Sequence, residues 1–104
     1  MIFNDDKRFE WDENKDVENF CKHGIRFVAA RLAFNDPFLL KKYDGRHSLT
    51  ENRYQILGRV RKILFVVYAE QRKQIRIISA RLATKKEKEI YYGQNNQIGI
   101  EAWR

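Results

Sequence analysis

The sequence holds one cysteine, one proline and two histidines in 104 residues. A single Cys21 cannot form a disulfide within the chain. One Cys with two His also falls short of an ordinary structural zinc site. Cys21 stands between Phe20 and Lys22 in a helical pattern, so it is expected to be a small buried hydrophobe. The glycines are few and scattered: Gly24, Gly45 and Gly58 belong to different turns. No Gly-rich phosphate loop or nucleophile elbow is present, which disfavours nucleotide-hydrolysing and redox-cofactor enzymes. No cofactor and no metal are expected. Long apolar runs are missing too. The longest, Ile63 to Ala69, is far too short to span a bilayer. The first residues, MIFNDDKRFEWDENK, are too charged and acidic for a signal peptide. A soluble cytoplasmic protein with no membrane contact is expected.

What the chain does have is positive charge and aromatic bulk. Lys and Arg outnumber Asp and Glu by 21 to 14, for a net charge of +7. Such a field attracts polyanions: RNA, DNA or an acidic protein. Many small basic proteins nevertheless bind no nucleic acid. Seven Phe, five Tyr and two Trp supply enough burial for one core. At this length a single domain over residues 1–92 is expected, with 93–104 a loosely structured or partner-binding tail.

The periodicity predicts the order of elements. Phe9 to Trp11 alternate as a short strand. Asp12 is placed to cap a helix over Asp12 to His23, with Val17, Phe20 and Cys21 at helical spacing and Gly24 in the left-handed position after it. His23 in the last turn suits the helix dipole. A second helix follows, with Phe27, Ala30 and Phe34 on one stripe, and ends at Asp36-Pro37. Phe38 to Tyr43 reads as an edge strand and Asp44-Gly45 as a turn. Arg53 to Val60, Ile63 to Ala69 and Gln74 to Ala83 read as an antiparallel meander, with a bulge expected at Gly58. Thr84 with Glu87 forms a capping box for a helix to about Tyr92. The class is α+β: helices on one face of an antiparallel sheet, the other face free.

The segment Gln74 to Ala83 (QIRIISARLA) carries the functional signal. Arg76 and Arg81 stand among isoleucines, and cations beside an apolar face call for an anion or hydrogen-bonding partner. A phosphate is one such partner; an edge strand with solvated arginines is the alternative. In an unbroken strand Ser79 and Arg81 share a face with Ile75 and Ile77, while Arg76 lies on the opposite face unless a bulge intervenes. Ser79 and Arg81 are therefore site candidates, and Arg76 is expected to contact a neighbouring element or a partner.

His47, Glu51 and Arg53 lie where a loop enters the first strand of the meander. His47 has the pKa for proton transfer near neutrality, although an exposed loop histidine is the simpler reading. Glu51 and Arg53 would share a sheet face, either as part of a site or as a surface ion pair worth under about 1 kcal/mol. Such groups could cut a phosphodiester without metal by 2′-hydroxyl attack. Lys41, Lys42, Arg46, Arg59 and Lys85 are the cations expected to follow an RNA backbone. Trp11 could stack on bases; Tyr68 is expected in the core.

Several segments taken in order resemble the BrnT toxins: FEWDENK at 9–15, KHGIRF at 22–27, FNDP at 34–37, the D..RH....E.R pattern over 44–53, and RIISARLA at 76–83 before a charged helix ending in Tyr91. The resemblance implies a RelE-like ribonuclease fold and a toxin of a type II toxin–antitoxin pair. It further implies a metal-independent endoribonuclease that slows translation and is neutralised by a cognate antitoxin. That antitoxin would carry a ribbon-helix-helix DNA-binding dimer, so operator DNA is reached only through it. The implied site positions are His47, Glu51, Arg53, Ser79 and Arg81. Ala69 departs from the pattern, which leads to an expectation of Thr there. A non-catalytic basic module that binds RNA or a protein is the alternative.

Overall fold

The computed structural model describes residues 8–47 and 49–96. Its centre is a five-stranded sheet in the order β1-β5-β4-β3-β2. The strands are β1 (Arg8–Glu10), β2 (Leu40–Tyr43), β3 (Asn52–Val60), β4 (Lys62–Gln71) and β5 (Gln74–Leu82). β2 to β5 pair antiparallel, as their short connections require. β1 instead pairs parallel with β5, Phe9 opposite Ile75, because the helices carry the chain across before it re-enters the sheet. The α+β class stands, and the sheet is mixed at that one edge.

Helix α1 (Glu13–His23) is bounded as its sequence directs. Asp12 Oδ1 accepts from the Asn14 and Lys15 amides at 2.8 and 3.2 Å. Gly24 takes φ +73° and its N–H donates to the Phe20 carbonyl at 2.8 Å. The buried side of α1 differs from the expectation. Asp16 and Asn19 are its buried residues, while Val17, Phe20 and Cys21 are exposed. The reason is hydrogen-bond demand. β1 is short and leaves the edge of β5 bare beyond Arg76. There the Asn19 amide accepts from the Ala80 N–H at 3.1 Å and donates to its carbonyl at 2.8 Å. Asp16 accepts from the Phe27 amide at 2.8 Å and pairs with Arg26 at 3.0 Å. Unsatisfied backbone groups in those places would cost more than exposing a few apolar side chains.

The second helix is a single turn, α2 (Phe27–Ala30), continued by a 3₁₀ segment over Arg31–Asn35. A three-residue period brings Phe27, Ala30 and Ala33 into register, all fully buried against the sheet. Gly58 is not a bulge: β3 and β4 pair without interruption through Gly58 opposite Leu64. Its missing side chain lets the Ala33 backbone approach, since a Cβ at residue 58 would lie 2.6 Å from the Ala33 carbonyl oxygen.

The main core lies between this helical layer and one sheet face, from Phe27 and Ala30 to Ile56, Val66, Tyr68 and Ile77. Tyr68 is buried there, as expected, and Trp11 packs edge-on against Phe27. The opposite face is only partly free. The capping box of Thr84 and Glu87 starts α3 (Lys85–Asn96), which returns over one end of that face. Ile90 and Tyr91 pack there with Leu57 and Ile63. The helix runs past Tyr92 to Asn96, into the predicted tail; residues 97–104 lie outside the described residues.

Candidate functional site

The geometry of the open face is decided by one residue. In the β4–β5 ladder Val67 faces Ser79 and Tyr68 faces Ile77, so Ile78 is an extra residue. This bulge reverses the alternation of β5 midway. Ile75, Ile77 and Ala80 enter the main core, while Arg76, Ser79 and Arg81 stand opposite Ala69, Val67 and Phe65 on the other face. Ser79 and Arg81 therefore do not share a face with Ile75 and Ile77. They share it with Arg76.

Across the strands, Arg53 faces Ala69 and Ala69 faces Arg76. The two arginines thus flank a small, buried alanine on the central strand. They meet over it at one carboxylate. Arg53 donates through Nε to Glu51 Oε2 at 3.1 Å, and its Nη2 lies 3.1 Å from the same oxygen. Arg76 donates through Nη2 to Glu51 Oε1. Glu51 lies in the bend before β3, next to Thr50, so a loop places it while strands place the arginines. The hydrogen bond from Arg76, with help from Arg53, holds its carboxyl below the usual glutamate range despite some burial. Glu51 is ionised at neutral pH.

A cleft of about 510 Å³ opens beside this cluster, lined by Glu10, Glu51, Ala69, Gln71, Arg72 and Arg76 among others. Farther along the face, Arg81 is differently engaged. Its Nη1 and Nη2 donate to Glu87 at 2.8 and 3.0 Å, and its guanidinium lies 4.1 Å from the Phe65 ring centre. Glu87 also accepts from the Thr84 amide at 2.9 Å. Burial raises the Glu87 carboxyl, but Arg81 and the Thr84 amide outweigh it and hold it low. Ser79 is half-buried between the two arginine sites.

Of the site candidates, Glu51 and Arg53 are in contact, and Ser79 and Arg81 share their face. His47 ends a 3₁₀ turn, Gly45–His47, four residues before Glu51. Arg76, expected only to contact a neighbouring element or a partner, completes the cluster. The alternation of β5 carries no signal of this. Two arginines five apart match one face only across a bulge.

The cations expected to follow RNA divide between two faces. Lys41 lies on the helical side, 4.3 Å from the Tyr54 ring centre and 3.4 Å from Glu70. Lys42 pairs opposite Gln55 on the open face. Arg46 is exposed in the β2–β3 connection and Lys85 on the first turn of α3. Arg59 reaches the Tyr92 hydroxyl at 2.9 Å. They do not form one continuous track.

Among the described residues no group of three or more His, Cys, Asp or Glu is placed to hold a metal ion. No helix among them is long and apolar enough to cross a membrane.

Comparison with known proteins adds two findings. Residues 11–87 match the family model for the BrnT ribonuclease toxin of type II toxin–antitoxin systems. Among solved structures, the chain is similar to the Brucella abortus ribonuclease toxin BrnT, with 21% sequence identity and a TM-score of 0.56. That likeness covers 76% of this chain and 99% of the other. At such identity it speaks to the fold. No curated protein matches.

Proposed function

The chain belongs to the BrnT family of ribonuclease toxins of type II toxin–antitoxin systems, and from that premise we propose that it cuts RNA on the open sheet face, at Glu51, Arg53 and Arg76. Membership makes RNA its substrate class and an antitoxin its partner. The observation that carries the site is the convergence of two guanidinium groups on one carboxylate beside an open cleft. A carboxylate and a phosphate make the same demands on such a pair: negative charge and coplanar acceptor oxygens.

In this reading the scissile phosphate displaces Glu51 and takes both arginines through its non-bridging oxygens. The 2′-oxygen then attacks phosphorus, the bond from phosphorus to the 5′ oxygen breaks, and a 2′,3′-cyclic phosphate remains. Arg53 and Arg76 stabilise the charge that accumulates on the phosphoryl oxygens, which is the service a metal ion would otherwise supply. Glu51 is a weak base while the arginines hold it. Once the phosphate takes them, the cause of its low pKa is gone and it becomes a better acceptor for the 2′-hydroxyl proton. His47 is the candidate acid for the leaving 5′ oxygen. Ser79 lies along the path the chain of nucleotides would take.

The antitoxin is proposed to carry a ribbon-helix-helix DNA-binding dimer, with operator DNA reached only through it, and the pair to act in the cytoplasm. Support for a protein partner comes from the apolar side chains that α1 and α2 leave outward: Val17, Phe20 and Val28 are each about half exposed.

The test is cleavage of a defined single-stranded RNA by the purified chain in EDTA, with product ends mapped. Fragments ending in 2′,3′-cyclic phosphate, reduced in the Arg53→Ala and Arg76→Ala proteins, are expected. Full activity in both variants would refute the site. Intact RNA with the unaltered chain would favour the non-catalytic binding module.

A further inference from the structure

A second groove lies at the other end of the molecule, where the β3–β4 hairpin meets α3. Its volume is about 300 Å³, and its floor is apolar, with Ile63 and Leu82. Its walls carry Arg59, Arg61, Lys62 and Lys88, together with Tyr92. No acidic residue lines it. The cleft beside Glu51 is a contrast, because Glu10, Glu51 and Glu70 there oppose Arg72 and Arg76. Of the two clefts, this one carries the unopposed positive charge in its lining, and it lies away from the proposed chemistry.

The walls are built from fixed elements. Arg61 sits at the hairpin turn with φ +69°, exposed beside Lys62. Lys88 and Tyr92 are one turn apart on α3, so they share its face. The Arg59 guanidinium is oriented by the Tyr92 hydroxyl at 2.9 Å and lies 5.9 Å from that ring centre. An oriented guanidinium beside a partly exposed aromatic ring is a platform on which an unpaired base stacks, while neighbouring ammonium groups take the phosphates. An acidic peptide would use the cations but has no need of the ring.

We infer that the groove formed by Arg59, Arg61, Lys62, Lys88 and Tyr92 is a docking subsite for the backbone and one base of single-stranded RNA, separate from the catalytic cluster. The identity of the polymer rests on the ribonuclease reading; the charge and shape of the groove do not. It would hold a strand by its flank while the open face acts on another nucleotide. Substrates too short to reach both places would lose affinity but keep their chemistry.

The experiment is binding of a fluorescent 2′-O-methyl RNA dodecamer to the full chain, by anisotropy over a series of salt concentrations. This probe lacks the attacking hydroxyl, so binding is read whether or not the chain cuts RNA. The Arg61→Glu/Lys88→Glu double variant is expected to bind at least tenfold more weakly at 100 mM salt. Its plot of log affinity against log salt should flatten by about 1.4, the share of two phosphates on a single strand. The Arg61→Lys/Lys88→Arg variant should bind as the unaltered chain does, and matching thermal melts would exclude misfolding. Equal affinity and slope in the charge-reversed variant would overturn the proposal. So would polyglutamate of the same length binding as tightly as RNA and being lost in the same variant, since the groove would then serve an acidic protein. A chain that binds through the groove but cleaves no RNA would refute the catalytic assignment and leave the groove standing.

Discussion

Arg76 and Arg81 stand on the same face of β5, each against a glutamate, and the two glutamates are held in different ways. Glu87 belongs to a helix start. It accepts from the Thr84 amide, its own amide donates to the Thr84 hydroxyl oxygen, and the Arg81 fork closes on its two oxygens. Removing it from Arg81 would disturb the cap of α3. Glu51 belongs to a bend, and both its partners are on strands. It can leave without unravelling an element. Similar chemistry thus fastens a helix start at one end of the face and, in the proposed function, yields to a phosphate at the other. What separates the two pairs is how the acid is anchored.

The largest effect should separate the two arginines directly. Arg76→Ala is expected to lower RNA cleavage by roughly 10²–10³-fold, the usual loss on removing one donor to a developing oxyanion. Arg81→Ala should keep cleavage within about tenfold while lowering the melting temperature, because its partner is structural. Initial rates on one RNA substrate, with melts of the same samples, decide this. Equal kinetic damage from both would merge the two regions into one site.

Gly58→Ala tests the support that both regions share. The new methyl would meet the Ala33 carbonyl at 2.6 Å and the Ala33 Cβ at 3.0 Å. A cost of about 1–3 kcal/mol is expected from overpacking. Urea denaturation should register it as a lower midpoint with an unchanged slope.

Thr84→Ala should cost about 1 kcal/mol by removing the side-chain half of the cap. Its melting temperature should fall while cleavage per folded molecule persists. A parallel loss of cleavage would show that α3 and the catalytic end are coupled.

Acid should act on Glu51 in a defined direction. Its carboxyl is held below the ordinary value of 4.5, chiefly by the hydrogen bond from Arg76. A depressed folded-state pKa contributes stability that is complete above the unfolded value. That stability is lost as pH falls through the lower folded one. Glu51→Gln should therefore melt with a shallower pH dependence than the unaltered chain as pH falls below the ordinary glutamate value of 4.5. Glu87, also held low, should remain the source of the residual slope in that variant. An unchanged slope would mean that the Glu51 contact contributes nothing in solution.

Local signals were legible wherever the structure they specify is local. Asp12, Gly24, Thr84 and Glu87 fall at the helix boundaries that their chemistry predicts. The three meander strands followed from short connections and alternation. The candidate site was legible in part. Glu51 and Arg53 are two residues apart, and their contact is short-range. Ser79 and Arg81, expected on the face of Ile75 and Ile77, lie instead with Arg76, because the bulge at Ile78 leaves no mark in the alternation itself. The polar inner side of α1 was equally hidden, since Asn19 answers a carbonyl and an amide 61 residues away. Gly58 is legible as a special position but not as what it serves: a bulge is the sequence expectation, and close packing against Ala33 is its role.

The sequence by itself determined most of the elements, their order and the basic balance, because caps, turns and periodicity act over a few residues and need no distant partner. Tertiary structure alone decided which face each arginine of β5 presents and which acid it meets. A one-residue bulge reverses every side chain beyond it, and only the pairing with β4, together with the burial of Ile75 and Ile77, selects where that reversal falls.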